Sequence, residues 1–225
     1  MVLETIVKNV LTKTEQDGHW LPIISKTLLG SILAADGLVN NSLVSLIPSM
    51  IISPIGSIII NIALDNNSNI MKNLVFLGSI ISISILVGFF YTHLTMKYST
   101  DKFPTDSMIS RTKINGLIST TIIASASIIA FYYASKTDDK PLLIAIGIAT
   151  SLLPPLVNIG CLMRISFNKK ISNTKYIISF GIFMINFLSL LGGVWSLENI
   201  GIEGTMVFIF ITLTSMGSIM YSGGF

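Results

Sequence analysis

Two consecutive prolines inside an apolar stretch are the residues of this chain best suited to forming a binding site. Pro154 and Pro155 stand in the string IATSLLPPLVNIG, and Asn158 follows one helical turn later. Because proline lacks an amide hydrogen and collides with the preceding turn, the pair is expected to interrupt a helix and free carbonyl oxygens. In a membrane such backbone persists only against protein or along a hydrated cavity. The string therefore predicts a site or pathway, with a packing kink as the alternative.

A second apolar stretch carries the same chemistry. It reads SMIISPIGSIIINIAL and contains Ser53, Pro54 and, seven residues after the proline, Asn61. Alignment with SLLPPLVNIGCLM sets Pro54 opposite Pro154, and in both stretches an asparagine follows the proline. The ends of interrupted helices carry partial charges that hold ions or polar groups. The two stretches predict one site formed by a pair of broken helices, unless the prolines coincide by chance.

Two further polar residues lie inside apolar stretches. Asn186 can donate and accept hydrogen bonds, although amides within membranes also simply join helices. Asp36 is the one carboxylate within an apolar segment, which suggests cation binding or proton coupling, while its place near the segment end favours interfacial exposure. The candidate residues of a solute or ion pathway are thus Ser53, Pro54, Asn61, Pro154, Pro155, Asn158, Asn186 and Asp36.

The composition argues against several classes of function. The chain has 14 Lys and Arg against 11 Asp and Glu, but these charges lie almost entirely in connectors, so no nucleic-acid partner is expected. Its single cysteine, Cys161, has no partner for a disulfide or a thiolate metal cluster. The sequence contains no phosphate-binding glycine loop, HExxH motif or nucleophile elbow. We therefore expect neither an enzyme nor a bound cofactor or metal.

The elements that must position the candidate residues are membrane-spanning helices. Half of the 225 residues are hydrophobic, only 11% are charged, and the mean hydropathy is +0.77. Successive apolar runs of about 20 residues are each long enough to cross about 30 Å of hydrocarbon. We predict an all-α polytopic transmembrane bundle of six or seven spans, in which a full crossing of the last run is left open. The runs are 21–39, 42–64, 73–96, 114–135, 141–163, 176–195 and 206–221.

The proline-containing runs are the second and the fifth, which predicts a 3+3 inverted repeat. Each unit would have three helices with a broken one in the middle, and the two units would insert in opposite orientations. Lys and Arg are concentrated in the connectors 97–113 and 164–175, so we expect both connectors on the cytoplasmic side.

The chain divides into three parts by composition. Residues 1–20 mix polar and apolar types at helical spacing and predict an amphipathic interfacial segment. Residues 21–195 form the transmembrane domain, and 196–225 form a C-terminal apolar segment. The helices are rich in Gly and Ser, which allow close approach and favour a homo-oligomer.

Three blocks of the sequence resemble the domain of unknown function 389 (DUF389) family of multi-pass hydrophobic proteins. Residues 37–64 resemble a family block with a Gly-Leu pair and a Ser-Pro step, and residues 109–134 resemble its Arg-Thr entry into a small-residue helix. The string IGIATSLLPPLVNIG is the most specific block, whereas Asp36 departs from the more apolar family pattern. The resemblance covers about residues 25–195. It implies a multi-pass membrane protein of transport type.

We expect a transporter or channel for a small solute or ion, with its site between the broken helices at 42–64 and 141–163. The alternative is a non-transporting membrane scaffold or interaction subunit. A pathway requires polar groups that face a hydrated cavity, whereas a scaffold would bury the same groups in protein contacts. The expected partners are membrane lipids, the solute or ion, and further copies of the chain.

Overall fold

The structure is a computed structural model that describes residues 20–64, 70–98, 102–113, 121–129, 141–168 and 174–222. Throughout these ranges the regular secondary structure is α-helical, which confirms the predicted all-α class. The interfacial segment predicted for 1–20 lies outside the described residues, apart from Trp20.

The helices follow the predicted apolar runs closely. Residues 121–129 are also helical, and they belong to the fourth predicted run. The other helices, numbered in chain order, are α1 (Trp20–Val39), α2 (Leu43–Ile52), α3 (Ile55–Leu64), α4 (Ile70–Met96), α5 (Asp106–Ser110), α6 (Pro141–Asn168), α7 (Thr174–Asn199) and α8 (Gly201–Ser222).

Several of these helices are long and apolar enough to cross a membrane. Among the described residues there are four such segments, because α2 and α3 together count as one: Trp20–Val39, Leu43–Ala63, Ile70–Met96 and Lys175–Asn199. Each contains at least 20 residues, and a helix of 20 residues is about 30 Å long.

Helices α1 and α4 run parallel. Near their N-terminal ends the Trp20 and Phe76 rings pack edge to face, with centroids 4.6 Å apart. Near their C-terminal ends the Tyr91 hydroxyl donates a hydrogen bond of 2.7 Å to Asp36. The order of the contacts along both helices therefore fixes a parallel pair.

Helices α4 and α6 are also parallel and their backbones touch. A Cβ atom at Gly88 would overlap the Val157 carbonyl, and one at Gly160 would overlap the α4 backbone. Further along both helices, the Arg164 Nε donates to His93 Nδ1 at 2.9 Å. Since only glycine permits this separation, these two positions set the packing distance between α4 and α6.

Helix α6 occupies the centre of the bundle. It packs against α1, α2, α3, α4, α5 and α7. Every residue from 152 to 162 is buried. The segment that contains Pro154 and Pro155 is therefore the part of the described chain most fully surrounded by protein.

The second predicted span is interrupted, as its proline predicts. Helix α2 ends at Ile52, and Ser53 adopts an extended conformation with φ −60° and ψ 129°. The residue before a proline avoids the helical region because of a clash with the proline ring. Helix α3 then begins at Ile55, whose amide donates a 3.4 Å hydrogen bond to the Ser53 hydroxyl. This segment is a discontinuous membrane helix.

The prediction that Pro154 and Pro155 break the fifth span is wrong. Helix α6 continues from Pro141 to Asn168 with both prolines inside it. Leu153 precedes Pro154 and is completely buried, so packing holds it in the helical conformation that a following proline disfavours. Membrane helices tolerate proline where neighbouring helices satisfy the freed groups. The expected symmetry of two broken helices is therefore not observed.

One basic connector is shorter than predicted, and part of the other is buried. Helix α6 extends to Asn168, so Arg164 belongs to a helix and not to the connector 164–175. In the connector 97–113, Thr105 and Met108 are buried against the bundle. Apolar contacts and hydrogen bonds to α1 and α6 hold this segment against the bundle. The charged residues of the segment do not predict this burial.

The last predicted run is longer than expected. Helix α8 begins at Gly201, whose φ of 81° reverses the chain after α7. It folds back on α7, and the Ser196 hydroxyl donates to Thr205 at 3.2 Å. Its 22 residues correspond to about 33 Å of helix.

Candidate functional site

Asn158 lies at the centre of the bundle on α6 and is completely buried. Its Nδ2 donates to the Met108 carbonyl at 3.1 Å and, more weakly, to the Ser179 hydroxyl at 3.4 Å. Its Oδ1 has no partner within the described part of the chain. A buried carbonyl oxygen without a donor costs about 1–3 kcal/mol, so this atom marks a place where a ligand or water would be stabilised.

Asn186 on α7 is the second buried amide, also with no exposed surface. Neither its Nδ2 nor its Oδ1 has a partner among the described residues. It lies seven residues after Ser179, and α7 presents the same face every seven residues, or two turns. Asn186 is therefore about 10 Å along the axis from Asn158, on the side away from the basic connectors.

Pro154 and Pro155 lie between the levels of the two asparagines. They deprive the carbonyls of Thr150 and Ser151 of their regular helical donors, since each carbonyl accepts from the residue four positions later. The Ser179 hydroxyl donates to the Pro155 carbonyl at 3.2 Å. The α6–α7 contact thus contains two incompletely bonded amides, and α6 carries the freed carbonyls between their levels.

The break at Ser53 and Pro54 lies next to the same region of α6. A Cβ atom on Gly30 of α1 would lie 3.2 Å from Leu153, 3.2 Å from the Ser49 carbonyl and 3.8 Å from the Ser53 nitrogen. Gly30 is near the middle of α1. The residues that precede the two proline sites therefore meet near mid-bundle.

Asn61 is not brought to the same place. It lies on α3, eight residues beyond Ser53, whereas Asn158 lies five residues beyond Leu153 on α6. Helices α2 and α3 run antiparallel to α6, so the two asparagines lie in opposite directions from the point where Ser53 and Leu153 meet. They are therefore separated by roughly 20 Å along the bundle axis. The sequence alignment that paired them does not bring them together in space.

Asp36 forms a half-buried hydrogen-bond cluster at the end of α1. Its carboxylate accepts from Asn40 at 2.8 Å, from Ser45 at 2.6 Å and from the Tyr91 hydroxyl at 2.7 Å. These donors come from the α1–α2 turn, α2 and α4. Three donors satisfy most of the carboxylate, so Asp36 joins helices and is separate from the Asn158 region.

A short segment closes the site toward the basic connectors. We call residues 102–113 the plug; it contains α5, and Met108 at its inner end is completely buried. The Thr105 hydroxyl donates to the Leu38 carbonyl at 2.6 Å, and the Ser107 amide donates to Asn41 Oδ1 at 2.9 Å. The plug therefore links the end of α1 to Asn158.

The plug also carries one charged side chain into partly buried surroundings. Arg111 Nη1 donates to the Ser107 carbonyl at 2.9 Å, and desolvation lowers the pKa of this guanidinium from its ordinary value. The outer part of the plug is thus partly buried, less completely than Met108.

Sequence reasoning missed Met108, Ser179 and Tyr91, which supply the partners of the predicted residues. Their types are common in membrane helices and give no local signal. The order of Thr105 before a short apolar turn is an N-cap pattern, and Thr105 does accept from the Met108 amide at 3.3 Å. No group of three metal-binding side chains occurs in the described ranges.

Among known proteins, this chain matches a family model only. Neither curated proteins nor solved structures provide a match to this chain. The sequence model of the family described as Domain of unknown function (DUF389) matches residues 26–191, which include α1 through most of α7. This match extends over most of the chain and contains both proline sites, Asn158 and Asn186, so the chain belongs to the DUF389 family.

Proposed function

We propose that this chain is a membrane transporter or channel that moves a small solute or ion along the α6–α7 interface. The observation that carries the proposal is the pair of buried, incompletely bonded amides of Asn158 and Asn186. Asn158 and Asn186 lie on either side of the level at which the two prolines free the carbonyls of Thr150 and Ser151. Both amides are completely buried, as the scaffold alternative requires, so the proposal rests on their unpaired polar atoms, which inside a membrane bundle mark candidate functional residues.

The pathway proceeds from the basic end of the bundle past Met108 to Asn158, and then to Asn186. The Asn158 Nδ2 is occupied by the Met108 carbonyl, so the described conformation is closed by the plug. Withdrawal of the plug removes the Met108 carbonyl and leaves only the weaker bond to Ser179, so the Asn158 amide becomes available to a solute. The interrupted helix α2–α3 flanks the centre of this route and supplies a half-helix N-terminus at Ile55.

We further propose seven spans related by a 3+3 inverted repeat, in which the middle helix is broken in the first unit and continuous in the second. The first, third and fifth predicted runs correspond to α1, α4 and α6, whose parallel directions agree with strict alternation across a membrane. The C-terminal ends of α4 and α6 lie together, so the connectors at 97–113 and 164–175 share one side. Their Lys and Arg favour the cytoplasm.

The proposal is tested by substituting Asn158 in reconstituted vesicles. Proteoliposomes are screened by stopped-flow light scattering with glycerol and urea, and by fluorescent indicators with K⁺, Na⁺ and Cl⁻. For any probe that the unmodified chain conducts, Asn158→Leu is expected to lower the flux about tenfold or more, since loss of a buried polar contact costs 1–3 kcal/mol.

The matched control is Asn199→Leu on the same helix pair. Asn199 is exposed at the end of α7 and donates to the Trp195 carbonyl. The flux through Asn199→Leu vesicles is therefore expected to equal that of the unmodified chain. Equal flux through folded Asn158→Leu vesicles would contradict this route. Absence of flux for every probe would favour the alternative, a membrane scaffold that uses the same amides only for helix contacts.

A further inference from the structure

Arg164 stands apart from the proposed pathway, at the edge where α4 and α6 meet near the basic end. Its Nε donates to His93 Nδ1 at 2.9 Å, and its Nη1 donates to Asn168 Oδ1 at 2.9 Å. The guanidinium carbon is 6.0 Å from the centre of the Phe89 ring. Three neighbours thus fix the direction of the guanidinium.

These contacts leave most of the hydrogen-bonding capacity of Arg164 unused. Arginine has five N–H donors, and the two bonds above use two of them. Its partners are neutral, and no carboxylate among the described residues is paired with it. Because His93 accepts at Nδ1, its proton is on Nε2 and supplies another donor at the same place. Within the described ranges, the positive charge of this cluster therefore has no anion beside it.

The surface beside this charge is apolar and exposed. Phe90 and Leu94 on α4 are 57% and 58% exposed, and Phe167 on α6 is 77% exposed. The Phe167 ring packs against Phe89 at 6.1 Å, so it borders the cluster directly. Side chains of this kind on a membrane helix face acyl chains. A ligand here would need an anionic group at one end and hydrocarbon at the other.

We propose that Arg164 and His93 bind the phosphodiester head group of an anionic phospholipid whose acyl chains lie against Phe90, Leu94 and Phe167. Guanidinium–phosphate pairs are charge-assisted and can form two parallel hydrogen bonds. Basic pockets between membrane helices at the cytoplasmic side are recognised sites for such head groups. The proposal is independent of transport, since none of these residues borders Asn158 or Asn186.

The single buried thiol offers a direct assay. Cys161 is completely buried and reacts with a fluorogenic maleimide only when the protein unfolds, so the dye reports the Tm. Purified protein in a neutral detergent is titrated with phosphatidylglycerol or with phosphatidylcholine. Phosphatidylglycerol is expected to raise the Tm by about 5 °C more than phosphatidylcholine. The Arg164→Gln variant is expected to lose this difference.

Three controls test whether the larger Tm shift with phosphatidylglycerol arises from lipid binding at Arg164. Lys72→Gln removes an exposed charge at the opposite end of α4 and should keep the full difference. Arg164→Lys retains the charge without the planar fork and should keep part of it. Inorganic phosphate without lipid should give no shift.

Native mass spectrometry provides a readout that does not depend on stability. It should detect bound phosphatidylglycerol on the unmodified chain and about tenfold less on Arg164→Gln. Equal shifts for both lipids, a full phosphatidylglycerol shift in Arg164→Gln, or the same shift with phosphate alone would overturn the proposal.

Discussion

Asn186 is completely buried in α7, and both polar atoms of its amide are without a partner in the described part of the chain. Its neighbours along the helix include Phe183 and Phe187, whose rings stack at 6.0 Å. An amide in such surroundings destabilises the fold, because it gives up its hydration without gaining hydrogen bonds. Inside a membrane helix, a polar residue of this kind is a candidate functional residue. Asn158 differs, since its Nδ2 already has partners.

This difference predicts opposite effects of the same substitution at the two sites. Asn186→Leu keeps a similar volume and removes two unpaired polar atoms, so it is expected to stabilise the chain by about 1 kcal/mol. Asn158→Leu removes the bond to Met108 and is expected to destabilise it by about 1 kcal/mol. The Tm in detergent, followed through Cys161, measures both. A loss of stability in Asn186→Leu would show that its amide is bonded in the folded chain.

At the scale of elements, the plug and the paired glycines of α4 and α6 have different mechanical roles. Gly88 and Gly160 bring two backbones into contact and make α4 and α6 one rigid pair. The plug, in contrast, has far fewer contacts with its neighbours: the buried Met108 and the hydrogen bonds of Thr105, Ser107 and the Met108 carbonyl. Elements held by few contacts open at the lowest free energy. The plug is therefore the element expected to move.

Thr105 offers the test of plug opening. Its hydroxyl both donates to Leu38 and caps α5, so Thr105→Val removes two bonds at once. In a Cys161→Ala background that carries Met108→Cys, Thr105→Val should increase maleimide labelling at position 108 about tenfold, since a cap is worth roughly 1 kcal/mol. Thr95→Val, which alters bonds only within α4, is the control. An unchanged labelling rate would mean that the plug is static.

At the scale of the whole molecule, α1, α4 and α6 are parallel and α6 lies at their centre. Their C-terminal ends gather Asp36, Tyr91, Arg164 and the plug at one end of the bundle. The exposed charges Lys97, Lys102 and Lys113 lie at this same end. The concentration of Lys and Arg at this end predicts that it faces the cytoplasm.

This arrangement predicts which positions share a side. In a Cys161→Ala background, Lys97→Cys and Asn168→Cys should react with a membrane-impermeant maleimide only after cells are permeabilised. Met71→Cys, at the start of α4 and 75% exposed, should react in intact cells. Labelling of positions 97 and 168 from opposite sides would contradict the parallel packing of α4 and α6. If all three positions react from the side opposite to the predicted one, the parallel packing is kept and the chain is inserted in the opposite orientation.

The sequence was sufficient where a local property decides the outcome. Long apolar runs predicted the helices because a span of about 20 residues satisfies its backbone internally in lipid. Pro54 predicted the break at Ser53 because the clash of a proline with its preceding residue is local. The proline-containing strings also indicated the family, and the apolar runs around Asn158 and Asn186 predicted that both residues lie inside the bundle.

Only the tertiary structure decided what surrounds each polar group. Pro154 and Pro155 stay within a continuous helix because six neighbouring helices enclose α6, and no local pattern contains that information. Asp36 accepts a hydrogen bond from Tyr91, 55 residues away, and Asn158 donates one to Met108, 50 residues away, while its Oδ1 stays unpaired among the described residues. Whether a buried group is paired depends on the register between distant helices. Hydropathy along one helix determines that a residue is buried, and packing between helices determines what it contacts.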